Sequence, residues 1–426
     1  MILDDIAQVV YAPAKAFKRM IENPKYLGAL IILLLFIGLQ FGFEYVQFAK
    51  TQVENTSPSI GQLAQYTNAT LWTNTTGTSL SNNYSDYFNY TVYAGAAVGY
   101  YNLFANYTNA KGPSSLEIDA ADASSASATL QDLFNVNCAA HGFQNLSITL
   151  KLVSPQAVAQ SAALTLYSLN DSNYYIYPLT SDLSSSSAIN EWQNLTIPLG
   201  PSSQGWTTSG TPNWGNITAM KLDFNYPSNS NITVRVGALF FRGQYQSPLE
   251  FEGASASVSF LEAFTLQFVF TWLLLSGLIY LLFKGFKANI TWKPLFVAVA
   301  FALFVMVIRA LISFLASLTL GTLYFPYDAS IGSAPTILGV ISYPSPAVSL
   351  LSTQSQAAAN AVLSATAGLS DLSLALFLIA YVWLGYLCTI IIGNLNPAFS
   401  LTKRISIAGI SIAITVFLLL LFSIPI

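Results

Sequence analysis

Apolar positions along the chain follow two periodicities, and each predicts a different architecture. Five uninterrupted apolar runs fall at about 27–47, 260–283, 294–320, 370–392 and 405–425. Each reaches the roughly twenty residues that a helix needs to cross a ~30 Å hydrocarbon core. Between the first run and the second lies a long stretch rich in Asn, Ser, Thr and Tyr, in which short segments alternate apolar with polar residues. The clearest are 145–153, 162–169, 174–179, 192–199, 217–226 and 232–241, parted by turn clusters such as "SDLSSSSAIN". Period-two segments at this spacing predict an antiparallel β-sandwich.

The expected fold is therefore a multi-span α-helical membrane domain of five transmembrane helices, with an all-β sandwich inserted between helices 1 and 2. Residues 1–25 read as an amphipathic helix on the cytoplasmic leaflet, split by Pro13, and 26–47 as the first span. Residues 48–84 lack sustained periodicity and read as an extracellular stalk, 85–245 as the sandwich, and 246–426 as spans 2–5 with an outer loop over 321–369.

Composition agrees with this division. Charged residues make up 8 % of the chain, hydrophobic ones 53 %, and the mean hydropathy is +0.52. A soluble domain carries about a quarter charged residues. A net charge of −3 offers no basic face, so nucleic acid is not an expected partner. Nine of the sixteen basic residues fall in three short segments: Lys15, Lys18, Arg19 and Lys25; Lys284, Lys287 and Lys293; Lys403 and Arg404. The positive-inside rule then places the N-terminus in the cytoplasm, with the insert and the C-terminus outside. A multi-pass plasma-membrane protein is expected.

Chemistry-bearing residues are sparse. His141 is the one histidine, and the two cysteines, Cys138 and Cys388, fall on opposite sides of the predicted bilayer boundary. That excludes a multi-His metal centre and an internal disulfide; no cofactor is expected. Acids Asp119, Asp122, Asp223, Glu191, Glu250 and Glu252 could ligate calcium, but their spacing resembles no calcium loop. Trp192, Trp206 and Trp214 fall late in the insert, where aromatic faces could stack on sugar rings or close the core. Arg309 lies within the third run, where an unpaired charge costs ~3 kcal/mol or more. Glu262 and Glu44, near the outer ends of the second and first runs, are its expected partners. Asn-x-Ser/Thr sequons occur at Asn55, Asn68, Asn74, Asn83, Asn89, Asn106, Asn145, Asn170, Asn194, Asn216 and Asn231, which predicts a densely N-glycosylated surface. A further sequon, Asn289, lies in an expected cytoplasmic loop and should be bare. Dense sequons with few lysines suggest an archaeal cell surface.

Two stretches carry a family resemblance. "VVYAPAKAFKRMIENPKYLGALIILL", with Pro13, Phe17 and Pro24, and "DLSLALFLIAYVWLGYLCTIIIG", with Lys403-Arg404 before the last span, resemble the Yip (Ypt/Rab-interacting protein) domain family. The resemblance covers roughly 1–47 and 259–426, and implies a five-span membrane scaffold with a cytoplasmic N-terminus. The family's first loop is short, whereas here some 210 residues intervene, and the acidic and tyrosine signature tied to Rab binding is not evident. "EWQNLTIPL", "GTPNWGNITAMKLDF" and "NITVRVGALFFRG" are similar to the last strands of galactose-binding-like jelly rolls, with Gly237 where such domains often place an acid. The expected function is a non-enzymatic scaffold or accessory subunit whose sandwich binds glycans or partner proteins. Membrane lipids, other membrane or surface-layer proteins and N-linked glycans are the expected partners. The alternative is a transporter or channel component using Arg309 with Glu262 and Glu44.

Overall fold

The computed structural model describes residues 2–58, 65–86, 114–133, 135–184, 189–288, 290–325 and 353–422. Helices α1 (Ile2–Tyr11) and α2 (Pro13–Glu22) precede α3 (Tyr26–Lys50). Proline has no N–H for an i−4 bond and a ring that fits the first helical turn, so Pro13 ends one helix and starts the next. Ala16, Phe17 and Met20 turn the apolar side of α2 into the helical core, while Lys15 and Lys18 stay exposed.

The sandwich occupies the chain between α3 and the next long helix. Its strands are β1 (Thr51–Ser57), β2 (Trp72–Asn74), β3 (Thr78–Asn83), β4 (Ser115–Leu130), β5 (Asn145–Ser154), β6 (Ser161–Ser168), β7 (Asn170–Pro178), β8 (Gln193–Pro198), β9 (Thr207–Ser209) and β10 (Ile217–Gln246). The expected stalk is thus a correction: its residues supply three strands. They are short and Asn/Thr-rich: β2 and β3 pair with β4 at an edge, and β1, between β10 and β11, buries Thr51, Glu54 and Thr56 in place of apolar residues, so no long alternation marks them.

Strands β4 and β10 form one long antiparallel ribbon shared by both sheets. Its first layer runs β9-β7-β6-β10-β4-β2, through the part of β10 around 217–225. Its second runs β8-β5-β10-β4-β3, through the part around 232–242. The register shifts between Asn225 and Ser230, and an irregularity of this kind bends a ribbon. Even-numbered residues point inward on both sides of the bend. Leu116, Ile118, Ala126, Ala128, Leu222, Phe224, Val234 and Val236 are all buried in one core with Leu164 and Leu166 of β6 and Ile148 and Leu150 of β5. Cys138 lies in that core, and burial pushes its thiol up to about 12, well away from a reactive thiolate.

The remaining helices are α4 (Pro248–Gly285), α5 (Trp292–Ala302), α6 (Phe304–Ser317), α7 (Thr353–Leu395) and α8 (Leu401–Leu421), with strand β11 (Leu323–Phe325) pairing parallel to β1. Five helical segments are long and apolar enough to cross a membrane: Tyr26–Lys50, Ser257–Gly285, Trp292–Ser317, Asn360–Leu395 and Leu401–Leu421. The third combines α5 and α6, which abut at Leu303. Part of the expected outer loop is helical, since α7 starts at Thr353; the loop's 326–352 lie outside the described residues. At 38 and 43 residues, α4 and α7 run to roughly 57 and 65 Å, well beyond a bilayer core.

No linker separates the two parts. Lys50 ends α3 and Thr51 begins β1. Lys50 Nζ donates to the Leu318 carbonyl at 2.8 Å and also to that of Leu320, past the end of α6. On the return, the single residue Ser247 joins β10 to α4. Its hydroxyl donates to Phe48 O at 3.0 Å and accepts from Leu249 N at 3.3 Å, so one side chain caps α4 and ties it to α3.

Candidate functional site

The second layer presents an outward row of side chains that crosses five strands. The register aligns Ser81 of β3 with Glu117 of β4, Glu117 with Arg235 of β10, and Arg235 with Lys151 of β5. Leu150 pairs with Gln193, so Trp192, the residue before β8, falls next to Lys151 at the row's end. Lys151 Nζ lies 5.8 Å from the centroid of the Trp192 ring. Period-two alternation explains the row: Leu116, Leu150, Leu152, Val234 and Val236 point into the core, so the residues between them point out.

Charges on this row are paired. Arg235 Nε donates to Glu117 Oε2 at 2.5 Å, and Arg235 Nη1 also donates to Asp86. Asp86 accepts from Lys151 Nζ at 2.9 Å, and Glu117 from Asn83 Nδ2 at 2.8 Å. Side-chain exposures of 13 % for Lys151, 17 % for Arg235 and Glu117, and 28 % for Asp86 make the group half-buried but open to solvent. Burial pushes the Asp86 carboxyl up, yet the hydrogen bonds and charges of Lys151 and Arg235 outweigh it and hold the group below its ordinary value. Asp119, one residue pair along, is shifted the other way. Burial raises it, and the 2.6 Å hydrogen bond from Thr233 offsets only part of that.

The three tryptophans separate. Trp214 is buried and stacks on Tyr175 at 3.9 Å, while the Tyr175 hydroxyl donates to Pro212 O at 2.9 Å. Trp206 packs edge-on against Trp214 at 5.2 Å and beside Tyr177, and its indole N–H donates to Pro198 O at 2.7 Å. These two close an end of the core, with the Trp214 face covered by a tyrosine. Trp192 alone of the three stands beside the charged row. Sequence reasoning missed Asp86, Glu117, Lys151 and Arg235, which are far apart in the chain. The outward positions of alternating segments were the available signal for two of them, Lys151 and Arg235. Among the described residues no group of three acids, cysteines or histidines could hold a metal ion.

The membrane charges also separate. Phe301 sits where a Cβ on Gly28 would fall, at 2.1 Å, and Phe314 lies 3.0 Å from one on Gly42. This sets α3 alongside α5 and α6 in parallel, which leaves Glu44 about seven residues, or roughly 10 Å, nearer the sandwich than Arg309. Arg309 is half-buried, its guanidinium carbon 5.4 Å from the Phe377 ring centroid of α7. Glu262 is exposed on α4, and no ion pair joins Arg309 to Glu262 or Glu44 among the described residues. Helix register is the physical reason that the expected pairing with Glu44 is absent. Glu44 is 8 % exposed and lies on the α3 stripe of Phe36 and Phe48, whose rings contact Phe268 and Phe260 of α4.

Of the sequons, Asn74, Asn170, Asn194 and Asn231 are exposed, and Asn55, Asn68, Asn83, Asn145 and Asn216 are half-buried. Asn89, Asn106 and Asn289 lie outside the described residues.

No family model and no curated protein matches the chain. Among solved structures, it is similar to a family 11 carbohydrate-binding module from Clostridium thermocellum in complex with a β-1,3-1,4-mixed-linked tetrasaccharide. The identity is 14 %, over 40 % of this chain and 88 % of that one, with a TM-score of 0.23. The same module of the cellulosomal cellulase Lic26A-Cel5E of Clostridium thermocellum matches at 10 % identity over 40 % and 85 %, with a TM-score of 0.22. An arabinose-bound GH51 α-L-arabinofuranosidase matches at 10 % identity over 40 % of this chain and 23 % of its own, with a TM-score of 0.25. The described fold is a β-sandwich joined to five helices that are apolar and long enough to span a membrane.

Proposed function

We propose that the protein is a non-catalytic surface receptor in which the sandwich binds a neutral glycan and the five-helix bundle holds it at the membrane. The observation that carries this reading is the outward row Trp192–Lys151–Arg235–Glu117 with Asp86 beside it. A sugar ring has an apolar face, which stacks on an indole, and hydroxyls that both donate and accept. Paired cations and carboxylates on one rigid row suit that chemistry: hydroxyls donate to Glu117 and Asp86 and accept from Arg235 and Lys151. Two cations against two carboxylates leave the row itself without net charge, which favours a neutral ligand. Both carboxylates are engaged by cations, so neither is set up as a free general acid. The resemblance of the membrane part to the Yip family is in keeping with a scaffold role.

The test is a binding screen of the full-length protein in nanodiscs against immobilised neutral oligosaccharides, repeated with Trp192→Ala and Arg235→Gln. Binding that both variants weaken supports the proposal; no binding, or binding indifferent to Trp192 in a folded variant, overturns it. Glu44 favours a second reading, ion or proton transport: it is buried on the α3 stripe between Phe36 and Phe48 and makes no ion pair among the described residues. Liposome flux that Glu44→Gln abolishes would support it.

A further inference from the structure

A groove of about 480 Å³ opens between α7 and α8 on the membrane-spanning part. Val382, Tyr386, Thr389, Ile405 and Gly409 line it, and Arg404 closes one end. That end is the one remote from the sandwich: Phe399, just before α8, meets Phe283 and Phe286 at the far end of α4. Val382, Tyr386 and Ile405 on its walls are exposed, at 74 %, 57 % and 54 %, within segments long and apolar enough to span a bilayer. Hydrocarbon chains are the medium such a wall meets.

Two details bear on what fills this groove. The first is Gly409. A Cβ placed there would have no protein atom within 4 Å, so helix packing does not require the glycine. The same holds for Gly38 and Gly277 in other spans, so Gly409 marks open space over the groove, and the charge of Arg404 is what distinguishes it. The second is Arg404. Its Nε donates to Phe399 O and its Nη2 to Pro397 O, both at 2.8 Å, which fixes the guanidinium at the groove's mouth. These backbone carbonyls carry no formal charge, so the cation keeps its full charge for an anion, with N–H donors still available.

We propose that the α7–α8 groove is a binding site for one anionic glycerophospholipid, with an acyl chain lying over Gly409 and the headgroup phosphate held by Arg404. The charge sits at the depth of the headgroups and the apolar walls at the depth of the chains, as the two halves of a phospholipid require. This site is separate from the sandwich and stands whether or not the sandwich binds a glycan.

Native mass spectrometry of the full-length protein released from mixed phosphatidylglycerol and phosphatidylcholine vesicles tests it. Wild type should retain one phosphatidylglycerol in preference to phosphatidylcholine. Gly409→Leu fills open space rather than clashing, so it should fold normally by size exclusion and circular dichroism yet lose the bound lipid. Arg404→Gln should lower phosphatidylglycerol occupancy by about fivefold, the factor one interfacial cation commonly contributes. Retention of the lipid by a folded Gly409→Leu protein overturns the site. Equal retention of the two lipids by wild type overturns the preference for an anionic lipid, and unchanged occupancy in Arg404→Gln overturns the assignment of Arg404 to the phosphate.

Discussion

Glu54 and Arg242 form an ion pair at the base of the sandwich, with Arg242 Nε 3.0 Å from Glu54 Oε1. Glu54 is 1 % exposed and also accepts from the backbone N–H of Gly243 at 2.8 Å. The pair ties the first strand after α3 to the last strand before α4. Glu54 is the buried member, and removing it takes away the acceptor of both the Arg242 guanidinium and the Gly243 N–H, a loss of about 2–3 kcal/mol. Glu54→Ala should therefore lower the unfolding temperature of the purified protein sharply, whereas a charge-neutral Thr73→Ala on an exposed strand position should leave it nearly unchanged. Equal melting of the two variants would show that the pair contributes little.

Trp192 and Trp214 should respond differently to truncation. Trp214 fills core volume against Tyr175, so Trp214→Ala should destabilise the sandwich by about 3–5 kcal/mol, read from chemical unfolding. Trp192→Ala should leave stability within about 1 kcal/mol and lower glycan affinity tenfold or more, the scale of losing one stacked ring. Calorimetry on both variants separates the two roles.

Asp86 and Asp119 should titrate in opposite directions from their common unfolded value near 3.8. Asp86 is lowered, so its stabilisation is fully present above that value and is lost as pH falls through its folded one. Asp119 is raised, so the fold loses stability as pH rises from 3.8 through the folded value of that carboxyl. Carboxyl carbon shifts followed by NMR on labelled protein would order the two, and a reversed order would contradict the ion-pair geometry around Asp86.

Sequon occupancy should follow the engagement of the side-chain nitrogen, Nδ2, to which a glycan is attached. Asn83 Nδ2, the atom that would carry a glycan, donates to Glu117 at 2.8 Å, while Oδ1 accepts from Ser85 N and Asp86 N, both at 3.0 Å, so the side chain is held against the row and a glycan would crowd the Glu117 contact. Asn170 and Asn231 are exposed in the first and second halves of the sandwich strands. Glycopeptide mapping after expression in a glycosylating host should find Asn170 and Asn231 occupied and Asn83 bare.

The spans were legible in the sequence because lipid demands twenty apolar residues in a row and leaves an unbroken signal. Strands β5, β6, β8 and the two halves of β10 were legible for a related reason: one face meets the core, so period two survives. Strand β4 was not, although Leu116, Ile118, Ala126, Ala128 and Leu130 alternate inward, because alanine and serine differ too little to show a period. Strands β2 and β3 read as a stalk because edge pairing needs backbone groups more than side chains, and β1 because its buried positions are Thr51, Glu54 and Thr56 rather than apolar residues. Trp192 was visible as an aromatic, but the charged row beside it depends on the register of five strands, which no local window contains. The expected partners of Arg309 are not beside it because depth in each helix does not give lateral position: Phe301 against Gly28 sets Glu44 nearer the sandwich, and Glu262 faces outward, exposed.

The direct passage of α3 into β1, and of β10 through Ser247 into α4, bears on how force reaches the bilayer. A module on a flexible tether would swivel freely, and a tug on its cargo would die out in the slack. Here the two chains entering the sandwich behave as stiff struts bolted at the same plate by Lys50, Ser247 and the Glu54–Arg242 pair. A load applied to the outer face is then delivered as torque on two neighbouring spans, and the bearing of that face relative to the bilayer is fixed by the bundle itself.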